Sequence, residues 1–332
     1  MYRILLLAIA ALWTTMDVFP QGFVYKTGFF GFFDNREYFN EYVNDQTIFG
    51  TRISGELGYA FSENSRIMAG LDYLYEFGSK GEWIAPDLIT YYHGRSKNAQ
   101  IYMGAFPRLG KISMPFALMS DTIGYYHSTV EGILLEYRKD QFYHNIWIDW
   151  TGRQSSTRRE TFLLGFSGYL QKGVFLYQHH FVMTHLAHSL NGDEHIRDNA
   201  GFAVMPGVSL TSFVPVDSLS ISAGLLASYD RVRGIYDFSF PAGFLGEVNA
   251  LYRGFGIKGT VYAGQEQVIT SGEGFYKSDR YGRADFFYEM VKPGVTGKVQ
   301  FSMHFIPGVM DISMQLVIKA SLEGVFRNHQ SN

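Results

Sequence analysis

The densest group of side chains capable of chemistry is a short run of histidines. Four of the ten histidines of this 332-residue chain lie in it: His179, His180, His185 and His188. In an extended strand His179 and His185 share one face, while His180 and His188 share the other. Neither pair is adjacent, so a metal site would need a ligand from another strand or loop, such as His127 or His195. We predict no metal and no cofactor, and expect histidines that line a wall or an interface.

Charged residues recur at alternate positions within otherwise apolar segments. On strands that close into a barrel they would line the lumen: Arg52, Glu56, Arg66, Asp72, Glu76, Glu136, Arg138, Asp149, Glu247, Arg253, Lys258, Glu289, Lys298 and Lys319. Facing charges of opposite sign would order water and favour small polar solutes. They could equally pair across neighbouring strands and simply fill a wet interior. Their balance argues against a strongly anion-selective channel.

Aromatic residues of the same inward parity suggest a second use of the interior. Tyr102, Tyr143, Trp147 and Tyr262 could form a track on which sugar rings stack. The alternative is that these rings pack the barrel wall, because a register slip of one residue moves a side chain to the other face.

A barrel-embedded lipid hydrolase is the alternative from another functional class. Such an enzyme needs a nucleophile, a base and an orienting group on neighbouring strands. His144 or His179 with a nearby serine are candidates, but the chain has no G-x-S-x-G motif. We therefore assign no catalytic residues and predict that the protein is not an enzyme.

The elements that must position these residues are strands with one apolar and one polar face. In residues 219–230, Leu219, Ile221 and Leu225 fall on one face, while Ser220 and Ser222 fall on the other. Similar alternation predicts about sixteen strands (14–16), at 23–33, 47–61, 66–77, 88–94, 99–108, 130–138, 142–151, 161–171, 173–186, 200–213, 219–232, 242–253, 255–265, 283–292, 295–306 and 311–322.

The connections between these strands alternate in length. Tight connections such as 95–98 and 293–294 alternate with longer ones such as 109–129 and 266–282; the short link at 307–310 is an exception. Short turns at one end and long loops at the other are typical of outer-membrane barrels. This parity predicts that both barrel termini are periplasmic, with 34–46 or 109–129 folding inward to narrow the lumen.

Composition supports the same interpretation. Residues 4–13 are an apolar run, too short to span a bilayer, after a positive start, and predict a signal peptide over residues 1–21. The mature chain, 22–332, would then be a single transmembrane β-barrel domain. There are no cysteines, which excludes disulfides and thiolate metal sites, and the net charge of −3 gives no reason to expect nucleic acid.

In its signal segment, strand number, loop alternation and apolar last strand, the chain resembles bacterial outer-membrane porins. The resemblance is architectural, and Phe326 stands where such barrels have a terminal aromatic, although six residues follow it here. The Phe- and Tyr-rich strands fit a Bacteroidetes-type source. The resemblance implies a Gram-negative outer-membrane channel for passive or weakly selective diffusion of small hydrophilic solutes. A sugar-selective channel and a lipid hydrolase are the alternatives. Outer-membrane lipid, lipopolysaccharide and the barrel assembly machinery are the implied partners, and a homotrimer is compatible with it.

Overall fold

A computed structural model of the protein describes residues 21–80 and 84–326. The described residues form seventeen strands: β1 (Gly22–Glu37), β2 (Gln46–Ser62), β3 (Ser65–Glu76), β4 (Asp87–Arg95), β5 (Ala99–Pro107), β6 (Thr129–Lys139), β7 (Phe142–Gly152), β8 (Thr161–Lys172), β9 (Phe175–Leu186), β10 (Arg197–Ser209), β11 (Ser218–Val232), β12 (Tyr236–Ser239), β13 (Ala242–Tyr252), β14 (Phe255–Gly264), β15 (Arg280–Lys292), β16 (Val295–Ile306) and β17 (Val309–Val325). Except for Gln21, the predicted signal peptide lies outside the described residues.

The sheet closes on itself. Sequential strands pair antiparallel, and β1 also pairs with β17, from Val24 opposite Val325 to Glu37 opposite Ile312. The short β12 pairs only with β11, which pairs directly with β13 over most of its length. The other sixteen strands form a barrel wall without a free edge. The predicted all-β antiparallel barrel of about sixteen strands is confirmed.

Alternation along strands such as β16 separates an apolar exterior face from a polar interior face. On β16, Val299 and Phe301 are exposed on the outside, whereas Ser302 and His304 are buried inside. An apolar band around the barrel is the surface that a bilayer requires, since lipid cannot solvate polar side chains.

The connections sort into two sets at opposite ends of the barrel. At one end, which we call the tight-turn end, strands are joined by links such as 140–141, 173–174 and 293–294; the link at 210–217 is longer and contains a short 3₁₀ helix (Thr211–Phe213). Gly173 and Gly294 have φ values of 60° and 74°, in the left-handed region that such turns require. At the other, long-loop end lie 38–45, 77–80 and 84–86, 108–128, 153–160, 187–196, 233–241 and 265–279, with the tight link 307–308 as the exception.

Within the residues that the structure describes, two of the long loops contain short helices. In 108–128, α1 (Asp121–Tyr126) begins after Ser120, whose hydroxyl accepts a hydrogen bond from the Thr122 N–H. In 265–279, a 3₁₀ helix spans Gly274–Lys277. No helix among the described residues is long and apolar enough to cross a membrane.

Candidate functional site

Two long loops fold into the lumen and bind each other there. We call residues 108–128 and 265–279 the plug loops. The Ser120 N–H donates to the Ser271 carbonyl oxygen at 2.9 Å, and the Ser271 hydroxyl donates to the Leu118 carbonyl oxygen at 2.7 Å. The Ser120 hydroxyl also donates to the Glu273 carboxylate at 2.7 Å. The plug loops are therefore joined by several hydrogen bonds inside the barrel.

The plug loops carry an apolar core into the long-loop half of the lumen. Leu118 and Phe275 have no exposed surface, and Phe275 stacks on the His304 ring with centroids 4.4 Å apart. Tyr38, from the first long loop, packs edge-on against Phe275 at 5.1 Å. Inward wall residues from thirteen strands are buried: Phe32, Ile48, Ile89, Phe106, Val130, Trp147, Val182, Ala203, Leu226, Leu245, Tyr262, Tyr281 and His304. Protein, rather than water, covers this part of the wall.

Burial shifts the pKa values of two charged groups within the plug loops. Glu273 is buried, and its desolvation raises the pKa of the carboxyl group despite the hydrogen bond from Ser120 and the nearby Arg36 guanidinium. Burial also lowers the pKa of the Lys111 ammonium to about 8, with the Lys26 cation contributing in the same direction.

A cavity whose lining includes charged side chains remains beneath the plug loops. Two adjoining cavities of about 360 and 230 Å³ share Phe30, Leu109, Gly124, Thr296 and Lys319 as lining residues. The larger is also lined by Lys26, Arg52, Glu56 and Asp72, and the smaller by Asp121, Glu289 and Lys298. The lumen therefore retains a space lined by charges of both signs.

Half of the fourteen predicted lumen charges form ion pairs. Arg52 contacts Asp72 at 2.7 Å, Lys258 contacts Glu247 at 2.9 Å, and Lys26 contacts Glu56 at 3.5 Å. Arg108 pairs with Asp149, and Arg66 pairs with Glu323. These pairs correspond to the pairing alternative. Two of them, Arg52–Asp72 and Lys26–Glu56, line the larger cavity.

Other predicted lumen residues contact aromatic groups. Glu76 accepts from the Tyr126 hydroxyl at 2.6 Å, and Glu136 accepts from the Tyr143 hydroxyl at 2.8 Å. The cations of Arg138, Lys298 and Lys319 lie over the rings of Tyr143, Phe287 and Phe30 at 4.5, 4.4 and 5.9 Å, respectively. Arg253 lies instead in the tight turn after β13, with its guanidinium over the Tyr252 ring.

The four aromatics proposed as a sugar track differ in accessibility. Trp147 and Tyr262 are only 1% and 2% exposed, so protein covers their ring faces. Tyr102 is also buried, stacked on His93 with centroids 4.2 Å apart. Tyr143 is partly exposed and is bound by Glu136 and Asn145. In this arrangement the four rings do not present one continuous stacking surface.

The histidine run divides between the two faces of β9. His180 points inward, with Nδ1 3.0 Å from the Ser167 hydroxyl. His179 points outward, with Nε2 3.2 Å from Nδ1 of His144 on β7. His188 contacts the Ser189 carbonyl oxygen in the following loop. No group of three or more potential metal ligands (His, Cys, Asp or Glu) occurs among the described residues.

His185 belongs to an outward-facing dyad at the long-loop end. Its Nδ1 lies 2.7 Å from Oδ1 of Asp198 on β10, and the Arg233 guanidinium binds the other carboxylate oxygen at 2.9 Å. The His185 ring stacks on Phe162 of β8 with centroids 4.9 Å apart. The strand registers place one row of outward residues across β8–β11: Phe162, His185, Asp198 and Arg231. Histidine held by a carboxylate is an arrangement suited to a general base.

Sequence reasoning missed the roles of Asp198 and Arg233. A signal was present, because Asp198 shares the outward parity of Ala200, Phe202 and Val204, where a charge is out of place. The predicted strand began at residue 200, so the aspartate fell in a loop.

The closed antiparallel wall and its apolar exterior define an outer-membrane-type β-barrel, and solved structures share this fold. OmpT of Vibrio cholerae has a TM-score of 0.55 at 6% identity, covering 92% of this chain and 99% of that one. OpdO of Pseudomonas aeruginosa has a TM-score of 0.51 at 12% identity, and the match covers 91% of this chain and 97% of that one. The anion-selective porin of Comamonas acidovorans has a TM-score of 0.51 at 11% identity, and the match covers 90% of this chain and 100% of that one. At these identities the likeness concerns the fold alone.

The chain belongs to the lipid A 3'-O-deacylase-type family, whose model matches residues 24–323. A comparison with curated proteins gives no match.

Proposed function

We propose that the protein is an outer-membrane channel for small hydrophilic solutes, held closed by its plug loops in the conformation described. The observation that carries this proposal is the charged cavity inside a sixteen-stranded wall. Barrels of sixteen strands are too wide for wall side chains to fill, and porins of this size enclose an aqueous channel. The plug here consists of loops, which can move without opening the wall.

The proposal includes an orientation. The tight turns and both barrel termini would face the periplasm, and the plug loops would face outside. The cavity lined by Lys26, Glu56 and Lys319 would then be a vestibule beneath the closed plug. A sugar-selective version would require the plug loops to withdraw and uncover Trp147 and Tyr262.

Conductance of the purified protein in a planar bilayer tests the channel. The wild type should give brief or infrequent openings, and a variant with residues 266–278 replaced by a Gly-Ser linker should give large, stable steps. The reversal potential of that variant should show weak ion selectivity, because the lumen charges are balanced. A heat-dependent shift in gel mobility would verify that both barrels are folded. A folded variant without conductance would contradict the proposal.

A second candidate is hydrolysis of acyl esters of lipid A, favoured by the family description and by the His185–Asp198 dyad. The dyad lies at the long-loop end, on the exterior. In the proposed orientation the outer leaflet meets the barrel there, beside exposed Trp150 and Phe240. Asp198 would hold the His185 Nδ1–H while Nε2 takes a proton from water. The water oxygen would bond to the ester carbonyl carbon, the ester C–O bond would break, and the proton would pass to the departing sugar oxygen.

Release of fatty acid from lipid A in mixed micelles, followed by mass spectrometry, tests this second candidate. We expect His185→Gln and Asp198→Asn to lower the rate by about 10²-fold or more, because each removes general-base function. His188→Gln, in the adjacent loop, is the matched control and should retain activity. An inactive wild type, or full activity in His185→Gln, would exclude the dyad as a hydrolytic site.

A further inference from the structure

Two histidines from strands that do not pair meet on the outer surface of the barrel. His144 lies on β7 and His179 on β9, with β8 between them. His144 Nδ1 and His179 Nε2 are 3.2 Å apart, and each is the other's hydrogen-bond partner. The remaining nitrogen of His179, Nδ1, is buried without a hydrogen-bond partner. The pair lies outside the lumen and apart from the His185–Asp198 dyad.

Gly168 of β8 makes this meeting possible. It stands opposite both His144 and His179 in the strand registers. A Cβ at residue 168 would lie 2.2 Å from His179 Cε1 and 2.9 Å from His144 Nδ1. Any other residue would therefore push the two imidazoles apart, so the absence of a side chain is what allows them to meet across β8.

The spacing of the two rings suits a shared metal ion. Two imidazole nitrogens at about 2.05 Å from one tetrahedral ion are about 3.3 Å apart, and their ring centroids are about 5.2 Å apart. The observed separations are 3.2 Å between nitrogens and 5.2 Å between centroids.

The surroundings show how the coordination could be completed. His144 is the third residue of β7, close to the tight-turn end, where Phe142, Phe175 and Tyr177 are exposed on the exterior. Exposed aromatics of this kind form the girdle at the membrane–water boundary. Water can reach an ion at that depth and supply the ligands that the protein does not.

We propose that His144 and His179 form a surface site for a divalent transition metal such as Cu²⁺ or Zn²⁺. Imidazole is a preferred ligand of both ions. A bound ion would tie β7 to β9 across β8. The site requires neither channel nor hydrolase activity.

Isothermal titration of Cu²⁺ and Zn²⁺ into the full-length, untagged protein in detergent tests the proposal. The wild type should bind one equivalent. Its Cu²⁺ electron paramagnetic resonance spectrum should show coupling to two nitrogens. His144→Gln and His179→Gln should each weaken binding by about tenfold or more, since removal even of groups that orient a ligand costs that much. Both changes are on the exterior and leave the lumen intact.

Two further variants sharpen the outcome. Gly168→Ala should weaken binding while leaving both histidines in place, whereas His188→Gln should bind like the wild type. Absence of a wild-type equivalent, or undiminished binding in both His144→Gln and His179→Gln, would overturn the proposal. Gel mobility with and without heating would show that each barrel is folded before it is titrated.

Discussion

Gly272 packs directly against the backbone of Ala117, where the two plug loops meet. A Cβ added to Gly272 would lie 2.0 Å from the Ala117 carbonyl oxygen, closer than two such atoms can approach. The same loop segment is bound through the hydrogen bonds of Ser271 and Glu273. The packing of the two plug loops against each other therefore depends on a contact that only glycine permits.

Gly272→Val should separate the plug loops and increase conductance. We expect larger or longer-lived openings in single-channel recordings, because the valine side chain would displace the Ala117 backbone. Gly124→Ala, in α1 of the same plug, is the matched control, since an added Cβ there meets no atom within 4 Å. Equal conductance in the two variants would show that this contact does not hold the plug closed.

Lys111 should make closure dependent on pH. Burial holds its pKa at about 8 in the folded protein, below the ordinary lysine value, so the packed loop binds fewer protons than a released loop. Stability of the packed loop should then rise with pH above about 8, and the penalty for burying the charge should be fully present below it. Open probability should fall as the pH rises from about 8 towards the ordinary lysine pKa of 10.5. Lys111→Met should remove this dependence, whereas an unchanged pH profile in that variant would contradict the assignment.

The alternation of residues determines the barrel but not the contents of its lumen. Strands such as β16, where Val299 and Phe301 alternate with Gln300 and Ser302, could be predicted because the period of two has one physical meaning. The loop lengths also predict that 34–46 or 109–129 folds inward. No sequence pattern predicts the packing of Leu118 near Phe275, since the plug loops are far apart in sequence and carry no periodicity.

The two histidine sites on the outer surface likewise depend on contacts that sequence alternation does not predict. The His144–His179 contact skips a strand, so it depends on Gly168 lacking a side chain rather than on ordinary neighbour pairing. The alternation along β9 places His179 on the outer face, but it does not predict that His144 of β7 is its partner. The His185–Asp198 dyad required the register of β9 against β10, which the alternation pattern does not contain.

Breaking the buried pair of Arg108 and Asp149 should destabilise the barrel strongly. Both side chains are nearly inaccessible, and Asp149 also accepts a 2.9 Å hydrogen bond from the Glu131 N–H. Asp149→Ala would leave the guanidinium buried and unpaired, at a cost of about 3–5 kcal/mol. Urea unfolding in lipid vesicles would measure this loss in the free energy of unfolding. The double variant Arg108→Met/Asp149→Ala should recover part of the loss, and a single variant as stable as the wild type would show that the pair contributes little.

An arginine placed on the exterior of β16 should test which face meets lipid. Val299 is 51% exposed near the middle of the strand and points away from the lumen. Val299→Arg should lower the free energy of unfolding in vesicles by about 2–4 kcal/mol, because the charge would lie near the bilayer midplane. Asn249→Arg, on the inward face of β13, is the matched control and should cost far less, since that side chain faces the polar lumen. Equal destabilisation by the two arginines would contradict the assignment of faces on which the channel and both outer-surface sites depend.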